Sequence, residues 1–406
     1  MQIANPIRPG SHKPLKLALC CTALLCLGQW SVLGVSDQVT DWLSDEVKFS
    51  QGKLHLGIFD IRPRLSGSMV YDDNIYIQSA NKQSDVVWVL SPGLAIGAGD
   101  YRVDGDKLLK LDYAPSFLFF QRTTQNDSID HNGNLSARWQ VGRLGMSLQQ
   151  QLLVSSGGYF ELGNRVQRHI YTTSLLFKYE LGGKTSLDMT SRLLVNDYKD
   201  LISSREWSQD ASVNYQLTGK ITVGPGVTFG YRELVREPNQ TYEQFSLRAG
   251  YVTSGKTQVH ASLGGELHQY GGPGGSEFAP VAELGANYKP IDPTTITLQA
   301  YQRDQNSVVY LGQNYSTTGF DASIRQRFLH KTFFTAGGGY ENLTYHAASA
   351  AASVGRRDNY YVAHLDFQWT ISRHWTVGAF FQHRENNSNI QSFSNNQIGL
   401  HSAFTF

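Results

Sequence analysis

Residues 361–371, Tyr-Val-Ala-His-Leu-Asp-Phe-Gln-Trp-Thr-Ile, separate into two rows. Tyr361, Ala363, Leu365, Phe367, Trp369 and Ile371 fall in one row, and Val362, His364, Asp366, Gln368 and Thr370 in the other. Successive side chains of an extended chain point to opposite faces, so this stretch predicts a strand with one apolar and one polar face. The split recurs at Leu135, Ala137, Trp139 and Val141 against Ser136, Arg138 and Gln140. It recurs again at Ala211, Val213, Tyr215 and Leu217 against Ser212, Asn214 and Gln216.

Outward from these segments, the chain beyond residue 56 reads as a series of alternating stretches broken by turns. Eighteen strands are expected, from 60–74 to 395–406, with 132–141 and 208–218 among them and sixteen as the alternative count. Short connections such as Gly142-Arg143, Thr218-Gly219-Lys220 and Ser372-Arg373-His374 alternate with longer polar ones. The long ones include Thr123 to His131, Ser156 to Arg165, Gly271 to Glu277 and Ser349 to Arg357. Short turns on one side and long loops on the other characterise transmembrane barrels, with the short turns periplasmic.

A soluble sandwich also alternates, but its strands usually run about five or six residues. Many of these exceed ten, near the ~9–11 residues a tilted strand needs to cross a bilayer. A sheet this large must hide its edges, and closure abolishes them. Tyr71, Tyr113, Phe177, Tyr179, Tyr231, Tyr251, Tyr288, Tyr340, Trp369 and Trp375 stand near strand ends on the apolar face, as interfacial girdles do. The expected fold class is all-β, a single transmembrane antiparallel up-and-down β-barrel. The expected location is the Gram-negative outer membrane, with outer-membrane lipid as the first partner.

Composition agrees. Charged residues make up 17% of the chain, against about a quarter in soluble proteins, while aromatics reach 12% and glycines number 39. A formal net charge of +1 argues for no nucleic-acid partner. Cys20, Cys21 and Cys26 all lie in the first thirty residues, where Arg8, His12, Lys13 and Lys16 precede an apolar run from Leu17 to Leu27. That layout predicts a signal peptide over 1–34, cut near Gly34, and a mature chain without thiols. Leu25 before Cys26 and Leu19 before Cys20 argue against a lipoprotein. Residues 35–56 are expected as a short periplasmic N-terminal segment, which could be a tail, a helix or a plug, and 57–406 as the barrel. At the far end Ile398, Leu400, Phe404 and Phe406 share a face broken by Ser402. Phe404 and Phe406 resemble the terminal signal that outer-membrane assembly machinery reads.

Gly57-Ile58-Phe59-Asp60-Ile61-Arg62-Pro63-Arg64-Leu65 leads into Tyr71-Asp72-Asp73-Asn74-Ile75, then Ser84-Asp85-Val86-Val87 and Leu90-Ser91-Pro92-Gly93-Leu94. This run, about residues 57–95, resembles the type 2 β-barrel porin family, whose members include outer-membrane proteins of exopolysaccharide or capsule systems. The resemblance implies a barrel in the outer membrane more firmly than it implies a cargo.

By their chemistry, Asp72, Asp73 and Asn74 predict a turn rather than a Ca²⁺ site, which needs six to eight oxygens. Pro63 and Pro92 are expected at bulges or bends. The chain carries no nucleophile elbow, zinc-protease helix motif or phosphate loop, so no catalytic, cofactor or metal residues are assigned and no enzyme is expected. His260 and His268 share a face with Glu266, and all three are read as wall residues. The expected pore lining comprises Arg62, Arg64, Lys110, Asp112, Arg138, Arg192, Arg232, Arg248, Glu266, Arg303, Arg325, Arg327 and Asp366. Lys178, Glu180, Asp188, Glu283 and Asp321 join them, eleven cations to seven anions in all. Such a wall suits a porin-like channel for passive passage of hydrophilic solutes, and the resemblance implies a link to exopolysaccharide export. The alternative is a non-conducting structural or binding protein whose lumen is plugged by residues 35–55 or by inward-folding loops.

Overall fold

In the computed structural model, residues 54–99, 107–253, 255–271, 275–347 and 354–406 are described. Eighteen long strands run in order. They are β1 (Phe59–Asp72), β2 (Asp85–Gly99), β3 (Lys107–Phe120), β4 (Ser128–Val141), β5 (Leu144–Ser155), β6 (Arg168–Glu180), β7 (Thr185–Tyr198), β8 (Ser204–Gln216) and β9 (Ile221–Leu234). They continue as β10 (Gln240–Thr253), β11 (Thr257–Tyr270), β12 (Ser276–Tyr288), β13 (Thr294–Asn306), β14 (Gln313–Phe328), β15 (Thr332–Ala347), β16 (Arg357–Thr370), β17 (Trp375–Ser388) and β18 (Phe393–Thr405). The expected count of eighteen is met. The fourth and eighth strands start four residues earlier than expected, at Ser128 and Ser204, because the ladders to their neighbours already hold there, at Leu118↔Ser128, Asn196↔Ser204 and Ser204↔Leu234. The signal peptide, and the segment after it up to residue 53, lie outside the described residues. Leu54–Leu56 doubles back as a short strand on Phe59 to Ile61.

Each strand pairs antiparallel with the next, and β18 returns to β1 from Arg64↔Thr405 to Asp72↔Gln397. The sheet closes into a ring, so neither its first nor its last strand is left as a free edge. The closure is clasped at its outer end. Asp72 accepts from the Asn395 amide at 2.6 Å and the Gln397 amide at 2.7 Å. Asp73 accepts from the Asn396 side chain and backbone N, both at 2.7 Å. Asn74 donates its backbone N–H back to Asp72, which is the expected turn, and its amide to the Ser394 carbonyl. Asp85 similarly receives Thr123 N and Oγ1, fixing the connection after β3.

The two faces differ as the alternation requires. On β10, Leu247 is 65% exposed and the adjacent Ser246 is 9% exposed. The outward face carries Trp88, Phe119, Trp207 and Tyr231 towards one rim, and Tyr179, Tyr251, Trp375 and Phe404 towards the other. This apolar, aromatic-girdled exterior around a closed antiparallel wall is the architecture of an outer-membrane barrel. Where a polar group does face outward it is answered locally. Ser402 accepts the Trp375 indole N–H at 2.8 Å, beside the edge-on pair of Phe404 and Phe406.

Pro63 and Pro92 are not bulges. The β1–β2 register runs without a shift from Phe59↔Ala98 to Asp72↔Asp85, so neither strand carries an extra residue. Instead Pro92 and Pro115 lie together where the β2–β3 ladder is interrupted, since neither can donate to it. Within β15 and β17, glycines make room for inward rings. A Cβ on Gly337 would lie 2.4 Å from the His364 ring, and one on Gly378 2.3 Å from that of His401.

Candidate functional site

The inward face holds the residues expected to line the lumen. Arg62, Arg64, Lys110, Asp112, Arg138, Arg192, Arg232, Arg248, Glu266, Arg303, Arg325, Arg327 and Asp366 all stand on the parity opposite the outward apolar row. The structure brings several together with partners the sequence did not single out. Arg64 makes a two-pronged pair with Asp112, at 2.6 and 2.7 Å. Arg232 donates to Glu206 at 2.8 Å, and Tyr242 donates to the other oxygen of the same carboxylate. Arg248 and Thr228 both donate to Asp210. Asp366 pairs with His401 at 3.0 Å, and Arg303 and Arg325 lie over the Tyr301 and Phe333 rings. Glu206, Asp210, Glu277 and Glu341 share this face, so the expected excess of cations is offset. Cross-strand pairing of opposite charges is the ordinary state of a polar barrel wall.

The loops at the outer rim turn inwards. Tyr159, Phe160 and Val166, between β5 and β6, are buried in one apolar cluster. The cluster also holds Ile77 and Val308 from other loops and the inward side chains of Tyr198, Tyr315, Leu343, Tyr345, Tyr360 and Phe393. A loop packed on inward-facing residues lies inside the barrel. A two-residue hairpin, Gly158–Tyr159 with Asn164–Arg165, stiffens it.

Two charged residues fasten the loop. Glu161 accepts from Tyr345 OH at 2.7 Å, Ser307 Oγ at 2.9 Å and Val308 N at 3.1 Å. Arg356, itself fully buried, holds buried Asp358 at 2.8 Å and donates to the carbonyls of Glu161 and Phe160. Its guanidinium lies over the Tyr310 and Tyr345 rings. A buried charge stays ionised only when paired and hydrogen-bonded, and Arg356 meets both conditions. The sequence reading missed these residues because they act between distant loops. In the sequence Glu161 and Arg356 are charges within long polar connections, which on a surface loop means only solubility.

Burial pushes the Glu161 carboxyl above its usual value, outweighing its three hydrogen bonds and the charge of Arg356, which act the other way. A carboxyl raised in the folded state stabilises loop docking fully below its unfolded value. That contribution is lost as pH rises through the raised one. Cleavage of the loop by added protease is therefore expected to increase as pH climbs from the ordinary carboxylate range towards neutrality. Glu161→Gln, which cannot ionise, should flatten that profile; an unchanged profile would show that Glu161 does not set it.

The histidines of β11 that share a face with Glu266 separate in space. His260 meets Glu283 at 3.2 Å. His268 meets Glu266 at 3.4 Å, and donors from β13 and β14 converge on that second pair.

No protein-family model matches the chain, and no curated protein matches it. Solved structures similar to it include the outer membrane protein OpdK of Pseudomonas aeruginosa, at 11% identity and a TM-score of 0.44, covering 86% of this chain and 99% of that one. OpdQ of the same organism matches at 9% identity and a TM-score of 0.45, covering 86% and 99%. OccAB3 of Acinetobacter baumannii matches at 10% and 0.45, covering 85% and 99%. At this distance the likeness carries no argument about cargo.

Proposed function

We propose that the chain is a porin-like channel through which small hydrophilic solutes cross the outer membrane passively, narrowed at its outer mouth by the loop between β5 and β6. The observation that carries this reading is the contrast between the two halves of the interior. The outer half is narrowed by the apolar cluster around Tyr159 and Phe160. On the periplasmic side, inward Asn134 and Glu180 are exposed, and Lys178, Asp188 and Arg192 are partly so. A wall of eighteen strands leaves room for water where loops do not fill it. Paired charges such as Arg248 with Asp210 would present fixed dipoles to a passing solute.

The likeness over residues 57–95 suggests exopolysaccharide as cargo. A polymer would have to displace the Glu161–Arg356 fastening, so small solutes fit the interior better. The fully plugged alternative is favoured by the same loop. Planar-bilayer recording on the refolded barrel separates the readings. Discrete openings of small amplitude, with faster liposome entry for monosaccharides than for oligosaccharides, are expected. No current under any voltage, even after removal of residues 156–167, would reject a channel; current appearing only after that removal would establish the plugged form.

A further inference from the structure

Between β12 and β13 the wall is open along half its height. The ladder runs only from Ala282↔Gln302 to Tyr288↔Ile296, leaving residues 276–281 of β12 and 303–306 of β13 unpaired with each other. Pro280, which has no N–H to offer, sits in that stretch. Both strands keep their other neighbours, β11 and β14. The outer tips of β13, β14 and β15 instead slip inside the wall. Asp304, Asn314 and His346 stand on the outward parity of their strands, yet they touch residues on the inward parity of β11 and β12.

The contacts across this seam are rich in metal-binding groups. Glu266 and His268 of β11 and Asp304 of β13 each bring a donor atom within 4.8 Å of the others. Glu266 and His268 are buried, and the Asp304 side chain is only 4% exposed. Two carboxylates this close in a buried setting repel unless a positive charge lies between them. Arg232, which faces the region, gives its Nε–H to Glu206. His346 reaches Asp304 at 2.8 Å and Glu277 at 3.1 Å from the far side. A second observation comes from Asn314. This residue is fully buried, and its amide points into the cluster, with Nδ2 2.9 Å from Asp304 and 3.5 Å from His268. Its Oδ1 has no hydrogen-bond partner. The two ends of an amide are interchangeable by a half-turn. Turned, the amide presents an oxygen to the cluster as a fourth donor.

We propose that Glu266, His268, Asp304 and Asn314 form a binding site for a divalent transition-metal ion that staples β11 to β13 across the open seam. One imidazole, two carboxylates and an amide oxygen form a mixed nitrogen–oxygen set, which suits Zn²⁺ and its neighbours better than a hard ion held by oxygen alone. Outer partners are in place, since Gln240 holds a ring nitrogen of His268 at 3.0 Å and His346 holds Asp304. The site does not depend on whether the barrel conducts.

The test is calorimetric titration of ZnCl₂ into the refolded full-length barrel, stripped with EDTA, in detergent at pH 7. One saturable site per chain is expected, with a raised unfolding temperature on zinc addition. Glu266→Gln and Asp304→Asn keep the side-chain shape and should each weaken binding by about tenfold or more, the size that even outer partners of a metal carry. His383→Gln, on the opposite side of the wall, should leave the isotherm unchanged. Retained heat-modifiable migration would show that each variant still folds. Absence of saturable binding, or binding equal in wild type and both variants, would overturn the site and leave a hydrogen-bonded network of His268, His346 and their carboxylates.

Discussion

Arg356→Ala is expected to raise single-channel conductance several-fold and to expose the loop between β5 and β6 to protease. Arg356 is the group through which that loop is tied to the wall: it donates to two loop carbonyls, at 2.7 and 3.4 Å, while pairing with Asp358. Both Arg356 and Asp358 are fully buried. Removing one member of such a pair leaves an uncompensated buried charge and costs about 3–5 kcal/mol. That is enough to shift the docking equilibrium of the loop by a factor of about a hundred or more. Arg356→Ala with Asp358→Asn should recover part of the docking, because the stranded charge is gone. Faster cleavage without a change in current would mean that the loop undocks but does not limit flow. Neither effect would mean that Arg356 does not hold the loop.

Asp72→Ala is expected to lower the temperature at which the barrel loses its compact migration on a gel, more than any comparable change on the outward face. The carboxylate is buried and accepts three bonds, from Asn74 N, the Asn395 amide and the Gln397 amide. Its removal takes away the acceptor of the Gln397 amide and the shortest of the Asn395 amide's three contacts, where the ends of the sheet meet. Each buried donor left unmade costs about 1–3 kcal/mol. Asp72→Asn keeps one acceptor oxygen and should fall between. If Asp72→Ala unfolds at the wild-type temperature, the backbone ladder from Arg64↔Thr405 to Asp72↔Gln397 is sufficient for closure by itself.

The Asp-Asp-Asn run shows how much of a site a sequence can reveal. Its turn chemistry was legible, because Asn74 bonds Asp72 two residues away. Its larger role was not, because Asn395 and Gln397 lie more than three hundred residues further on. His268 shows the same limit. Its neighbour Glu266 was visible by parity, but Asp304 and Asn314 stand on the opposite parity of their own strands. Parity therefore placed them against lipid, and only the inward slip of the β13–β14 tip brings them to β11.

What the sequence determined by itself was the wall. Eighteen strands, the inward and outward rows and the aromatic rims all follow from a two-residue period and from the turns between, which are local properties of an extended chain. What only the tertiary structure decided was the interior. The path of the loop between β5 and β6, the Glu161 and Arg356 fastening, the pairing of wall charges and the seam at Pro280 depend on which side chains meet across the lumen. Closure of the sheet sets those meetings, and no period in the sequence encodes them.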